Sequence, residues 1–478
     1  MQGPCGVPAW IMLVLAYGVV ALSVSAQEVS SKEPAASDKD TGYRGIWYCN
    51  QPTGNEYAYK YSGGLGTYCA DHIPMCVYAP AVNKTFFVYG GTKPNERDLL
   101  AMVSYYDHQT GTVPRPTILI DKKTEDAHDN PVIALDHAGY VWVFASAHGK
   151  ARPSYIFKSQ DPYSVENFDL ITKTNFSYPQ PWYIDGEGFL FLHTSYDGGR
   201  VLCWQTSKDG ITWSERKRLA SIEQGQYQIS WPKGRTVGTA FNYHPNAFRG
   251  DPAKKGLNWR TNLYYLETGD LGTTWRTVQG EPVRVPLTEA KNPALVVDYE
   301  AQGLLAYLMD LNYDAKGRPV ILYLTATTWE PGPEFGPREW HVAHWTGSAW
   351  AFSSITRSDN NYDMGSIYVE PDGTWRVIGP TETGPQPFNP GGEVAIWTSR
   401  DEGASWQKRA VITHDSRLNH TYCRRPLHAD PDFYAFWADG DARRPSESRL
   451  YFCDKTGQKV MRLPEVMEGP AAKPERVE

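Results

Sequence analysis

Apolar and alternating runs, each broken by a short turn containing Gly, Asp or Asn, recur along nearly the whole chain. Examples are "YAPAVNKTFFVYGG", "NPVIALDHAGYVWVFAS", "YPQPWYIDGEGFLFLHT", "ISWPKGRTVGTAFNY", "NPALVVDYEAQGLLAYLMD", "SIYVEPDGTWRVIGP" and "RRPLHADPDFYAFWADG". Each reads as strand, tight turn, strand. Most are followed by a further strand such as "RVLCWQTS", "TNLYYLET", "VILYLTAT", "EVAIWTSR" or "RLYFCD". Helical periodicity is almost absent. Three segments share one turn: "TSKDGITW", "ETGDLGTTW" and "TSRDEGASW", with 61 residues from Asp209 to Asp270 and 131, about twice that, from Asp270 to Asp401. In this Asp box the Asp and Gly form the turn and the Trp anchors it between strands, so these aspartates are assigned no catalytic role. Seven units of three or four strands at a spacing of some 60 residues predict an all-β, seven-bladed β-propeller, which manages its sheet edges by radial repetition.

The ends of the chain read differently. Residues 1–26 hold the apolar run "AWIMLVLAYGVVAL" before "SVSA" and are expected to be a signal peptide; 27–40 form a polar linker, 41–465 the propeller and 466–478 a polar tail. A secreted or periplasmic location follows, and no later stretch is long or apolar enough to span a membrane. With Cys5 in the signal, six cysteines remain in an oxidising compartment, and a Cys49–Cys453 link would staple the two ends. Asn83, Asn175 and Asn419 lie in N-x-S/T sequons.

Composition narrows the ligand. The 17 Trp, 30 Tyr and 16 Phe favour strands and supply stacking faces for a ring-shaped ligand, while a net charge of -7 without a basic stripe argues against nucleic acid. No C-x-x-C or H-E-x-x-H pattern calls for a metal, and no cofactor is expected. A monomer is expected. An early Arg-Ile-Pro signature of the sialidase type is missing.

Propellers bind at the ends of their axis, so chemistry is sought in the loops between units. There the chain places His128, then His148, Lys150 and Arg152, then Tyr178, then Tyr243, His244 and Arg249. The first segment adds "YKYSGGLGTYCADHIPMCVYAP" at 59–80, with His72 among tyrosines and glycines. There Gly63, Gly64 and Gly66 offer close backbone approach to a ligand, and a Cys69–Cys76 bond stapling the loop is the structural alternative. Arg44 and Lys60 are candidates to hold a carboxylate, and Tyr61, Tyr68, Tyr243 and His244 to line a sugar site. Asp71, Asp126 and Asp129 are read as orienting the rings beside them. Such a set suits β-elimination from a uronic acid. A cation neutralises the carboxylate and acidifies C5–H, a His or Tyr takes that proton, and an acid protonates the leaving O4.

"GYRGIWYCNQPTGNEYAYKYSGGLGTYCADH", "SYYDHQTGTVPRP", "DAHDNPVIALD" and "RPSYIFKS" resemble the seven-bladed propeller family that joins L-rhamnose-α-1,4-D-glucuronate lyases and related α-L-rhamnosidases to the ulvan lyases. The resemblance implies two sites. In the rhamnose–glucuronate branch a single catalytic histidine matches His72. In the ulvan-lyase branch the catalytic set lies on the opposite face and matches His128, His148 and Tyr178, with the carboxylate-neutralising arginine replaced near His193 and Thr194. The expected function is β-eliminative cleavage of the rhamnose–glucuronate linkage in acidic polysaccharide. The alternatives are hydrolysis of that bond, an ulvan lyase, and a non-catalytic carbohydrate-binding propeller.

Overall fold

The computed structural model describes residues 33–34, 37–65 and 71–477, and in them the chain is all-β. Successive segments fold into antiparallel meanders. The first runs through Cys76–Ala79, Lys84–Gly91, Leu100–Asp107 and Thr117–Asp121. The second runs through Pro131–Leu135, Val141–Ala145, Ser154–Ser159 and Phe168–Thr174. The third starts with the strand Ser177–Ile184 and the fourth with Gln228–Lys233. Further meanders begin at Leu305–Tyr313, Ser366–Val369 and Asn419–Arg424. Among the described residues, the one α-helix is the single turn Tyr299–Gln302. No helix there is long and apolar enough to cross a membrane.

The second meander shows why these sequences make such sheets. Along a strand, side chains alternate faces. Val132, Ala134, Trp142 and Phe144 therefore join Phe189 and Phe191 of the third meander in one core. Ile133, Val141 and Val143 join Phe86, Phe87 and Val88 of the first in another. Both faces of the sheet are dry. Each fully buried Val, Ile or Phe is worth roughly 1.5–3 kcal/mol. The hairpin turn is chemical as well: Asp136 Oδ1 accepts the backbone N–H groups of Ala138 and Tyr140, and Oδ2 accepts Trp142 Nε1–H.

The Asp boxes are turns. Asp209 Oδ1 accepts the N–H groups of Ile211 and Thr212, and Trp213 Nε1 donates to the Gly210 carbonyl. Gly210 has φ +71°, and a Cβ there would stand 2.4 Å from the Trp142 ring, so only glycine fits. Asp401 repeats the pattern with Ser399 and Ser405.

The ends of the described chain meet. Tyr78 N–H donates to the Leu427 carbonyl and Leu427 N–H to that of Cys76, tying the first meander to the last. The strand Gly45–Pro52 pairs with Ser446–Ser448 and, at Gly45, with Gly91.

Three expectations are corrected here. Within the segments read as polar linker and tail, two-residue stretches pair as edge strands: Glu33–Pro34 with Asp169 and Leu170, Asp38–Lys39 with Thr117 and Ile118, Ala471–Ala472 with Val113 and Pro114, and Glu475–Arg476 with Met461 and Arg462. Polarity misled because an outer strand needs backbone partners, not apolar side chains. Cys49, Cys76, Cys203, Cys423 and Cys453 are free thiols, so no Cys49–Cys453 link forms and Cys76 has no disulfide partner. Gly63 and Gly64 make room for protein, since a Cβ would stand 1.9 Å from the Tyr422 ring at the first and 2.7 Å from Ala438 at the second. Gly66, Tyr68, Cys69 and the signal segment lie outside the described residues.

Candidate active site

The loop before the strand Pro131–Leu135 is a single 3-10 turn, Ala127–Asp129, capped by Asp126, whose carboxylate accepts His128 N–H. That capping carboxylate organises the site. His128 Nδ1 lies 2.5 Å from Asp126 Oδ1, and His148 Nδ1 lies 2.7 Å from Asp126 Oδ2. The two imidazoles stack with centroids 3.7 Å apart and planes 12° off parallel. Arg152 closes the arrangement, donating to Asp126 Oδ2 at 3.1 Å and to both oxygens of Asp129 at 2.7 and 3.0 Å. Burial alone would raise the Asp126 carboxyl, but the His128 and His148 imidazoles hold it well below the usual carboxylate range. Burial lowers the His128 imidazole against the opposing pull of Asp126. A neutral imidazole that donates its Nδ1–H to this carboxylate carries its lone pair on Nε2.

Tyr178 is placed by backbone strain. It has φ +52°, and the pairing of Ser177–Ile184 with Gly188–Ser195 shifts register between Ser177 and Gln180. A bulge of this kind re-aims a side chain and costs of order 1–3 kcal/mol for a non-glycine residue held there. The ring it turns stands edge-on to His128 at 5.8 Å, to Tyr227 at 5.4 Å and to His72 at 5.4 Å.

His72 therefore joins this cluster instead of marking a site on the far face. Its Nε2 lies 3.1 Å from the His128 carbonyl oxygen, but the residue is 0% exposed. Burial lowers its imidazole to about 3. Pro74, two residues on, lines a pocket of about 400 Å³ with Leu135, Trp182 and Pro232, at the other ends of the same strands. Residues 71–75 thus run between the strand ends.

Cations complete the site. The Arg200 guanidinium lies 5.5 Å from the Tyr196 ring and 5.8 Å from that of Tyr227. Arg260 lies 4.6 Å from Tyr227 and 4.5 Å from Tyr307. Lys60, 1% exposed, bonds Asn258 and sits 5.4 Å from Trp329. Its ammonium is lowered well below the usual lysine range by burial and by Arg260 and Arg200. His244 is lowered by burial and the same three cations. The Tyr196 phenol is pushed up to about 12, by burial first and then by Tyr227.

Of the sequence candidates, the fold brings together His72, His128, His148, Tyr178, Lys60, Tyr61 and His244. Tyr61 packs against Tyr362 at 5.2 Å and Tyr48 at 6.1 Å. Arg44 is not brought in: it pairs with Asp40 and donates to the Glu465 carbonyl, closing the chain ends. Tyr243 is turned into the sheet core with its hydroxyl on Glu300. Tyr48, Tyr196, Arg200, Tyr227, Arg260 and Tyr362 were not singled out from sequence. Their signal was positional, since Tyr227 and Arg260 stand immediately before strands, as His128 stands just before Pro131–Leu135.

The sequence matches the BNR repeat-containing family over residues 97–358, more than half of the chain, and the chain belongs to that family. Among known proteins, the ulvan lyase of Nonlabens ulvanivorans is 26% identical over 339 residues, covering 61% of this chain and 66% of that protein. The PL25 ulvan lyase of Pseudoalteromonas sp. (strain PLSV) is 22% identical over 390 residues, covering 73% of this chain and 74% of that protein. A solved PL25 ulvan lyase structure superposes with a TM-score of 0.68 at 16% identity, over 88% of this chain and 96% of that one. Another, bound to -[GlcA(1-4)Rha3S]-, gives 0.66 with the same identity and coverage. At this identity the superpositions speak for a shared fold.

Proposed function

We propose that this protein is a polysaccharide lyase that cleaves the bond to O4 of a glucuronate in rhamnose- and glucuronate-containing polysaccharide, on a seven-bladed propeller. The blade reading is supported by the run of meanders, each sharing a core with the next, and by the pairing of first with last. One observation carries the activity: two stacked imidazoles pinned by one carboxylate, with a tyrosine aimed at them from a strained bulge and arginines across the same tyrosines.

Elimination uses these parts directly. Arg200, with Arg260 and Lys60 behind it, neutralises the substrate carboxylate, supplying the cation absent at His193 and Thr194 in the chain but delivered from the next turn. His148, whose side chain is 32% exposed and whose Nδ1 meets Asp126, takes the C5 proton on Nε2. The C5–H electron pair forms the C4=C5 double bond, the C4–O4 bond breaks, and O4 takes the Tyr178 hydroxyl proton. The products are a 4,5-unsaturated uronate and a chain ending in rhamnose, or free rhamnose when the sugar removed is a terminal cap.

The test offers the purified protein ulvan and a rhamnose-capped glucuronate oligosaccharide, following ultraviolet absorbance of the unsaturated uronate together with free rhamnose. Rising absorbance is expected. Rhamnose released without absorbance means hydrolysis of the same bond, and binding without any product means a carbohydrate-binding propeller.

A further inference from the structure

Among the described residues, three clusters of His, Asp and Glu side chains have donor atoms within 4.8 Å of one another. Two already contain their cation. Arg152 pairs with the carboxylate shared by His128 and His148. Arg318 pairs with Asp314 at 2.5 Å and Glu402 at 3.1 Å beside His344. The third, His108 with Asp430 and Asp432, has none: among the described residues neither aspartate forms an ion pair with a lysine or arginine.

We infer that His108, Asp430 and Asp432 form a binding site for a divalent transition-metal cation of the zinc class, stapling the seam between the first and last meanders. His108 follows the strand Leu100–Asp107 of the first, and the aspartates lie in the turn between Asn419–Arg424 and Ala435–Gly440 of the last. The imidazole is built in. Its side chain is 4% exposed, its ring is held edge-on between Tyr106 at 4.9 Å and Tyr78 at 5.3 Å, and Nε2 lies 2.9 Å from Thr85 Oγ1.

The other nitrogen faces the carboxylates. His108 Nδ1 is 3.2 Å from Asp430 Oδ1 yet lacks hydrogen-bond geometry to it, so a buried ring nitrogen points at two carboxylates without a proton bridge. Ligand atoms about 2.1 Å from a common zinc stand roughly 3.4 Å apart, and one imidazole with two carboxylates is a donor set that zinc accepts. Rotation of the exposed Asp432 carboxylate closes the remaining gap, with solvent in the fourth position. The Thr85 hydroxyl, 2.9 Å from Nε2, fixes the ring from behind, as an oxygen acceptor on the second nitrogen orients a metal-bound imidazole. The ion neutralises two neighbouring carboxylates of one turn of the last meander and ties them to the first through His108, and it acts on stability without entering the chemistry at Tyr178.

The experiment compares chelator-treated full-length wild type with Asp432→Asn, an exposed change that leaves packing intact, and His108→Gln. Zn2+ binding is read by calorimetry and Tm with and without Zn2+. The expected result is a Zn2+-dependent rise in Tm of the wild type that Asp432→Asn loses, together with one fewer zinc bound. Absence of any Tm rise in the wild type, or an equal rise and equal zinc content in Asp432→Asn, overturns the assignment. His108→Gln adds the same reading if it folds, and Asp432→Asn decides the matter if it does not.

Discussion

His72 and His148 both adjoin His128, one at its backbone carbonyl and one at its ring, and their difference bears on which imidazole the proposed reaction can use. His72 meets a backbone carbonyl, is sealed from water, and is lowered by burial to about 3. His148 meets a carboxylate and keeps a third of its side chain in solvent. Burial without a charged partner makes an imidazole a neutral spacer; a carboxylate at Nδ1 fixes the tautomer and leaves Nε2 free for a proton. The chain 71–75 carries this buried ring between the strand ends, while the ring proposed as the base, His148, stands on the loop after the strand Val141–Ala145 and reaches back to the Asp126 carboxylate.

The comparison breaks most sharply if the working side is removed. His148→Ala and Tyr178→Phe are each expected to lower turnover about 10²–10⁴-fold, the usual range for losing a general acid or base, with Tm nearly unchanged for the partly exposed His148. A variant of either that kept full turnover would move the chemistry elsewhere, His72 included. A smaller effect is expected at Arg200. Arg200→Ala should cost about 10²-fold in turnover, the lower end for removing one electrostatic stabiliser, and Arg200→Lys should recover part of it; equal rates for all three would remove Arg200 from the site.

The smallest effect on catalysis belongs to His72, where the effect on stability is instead the signature. His72→Ala should lower stability by about 1–3 kcal/mol, as a buried side chain is lost, and leave the folded enzyme active. The pH dependence has a definite sign. The folded-state value is about 3 against 6.5 for an ordinary imidazole, so the unfolded chain takes up a proton that the folded chain refuses. The contribution is complete above pH 6.5 and is lost as the pH falls from there towards 3. His193, also lowered to about 3 by burial, adds to the same window. Urea titrations across that range should show a shallower acid loss in His72→Ala. An unchanged slope, with activity gone, would reverse the roles of the two histidines.

The hairpins were legible because they are local. Alternation over four to eight residues and an Asp–Gly turn declare themselves within a dozen positions, and the three Asp boxes fold as their hydroxyl, carboxylate and tryptophan require. The edge strands near both termini were not legible, since most of their partners lie far away in sequence: Asp38–Lys39 pairs with residues 117–118, and Ala471–Ala472 with 113–114. Arg44 looked like a carboxylate holder by its charge, yet Asp40, four residues earlier, already occupies it.

The sequence by itself determined the strands, the turns, the all-β class and the residue types that a uronate-directed site needs, because period, turn chemistry and composition act over short distances. It placed His128, His148 and Tyr178 in loops of one kind. Only the tertiary structure decided that His72 lies beneath them, that Arg200 and Arg260 stand across Tyr227, and that Arg152 and Arg318 fill two acidic clusters while His108, Asp430 and Asp432 keep theirs open. Those facts depend on which loops converge when sheets stack face to face, and that convergence is set by buried contacts between residues hundreds of positions apart.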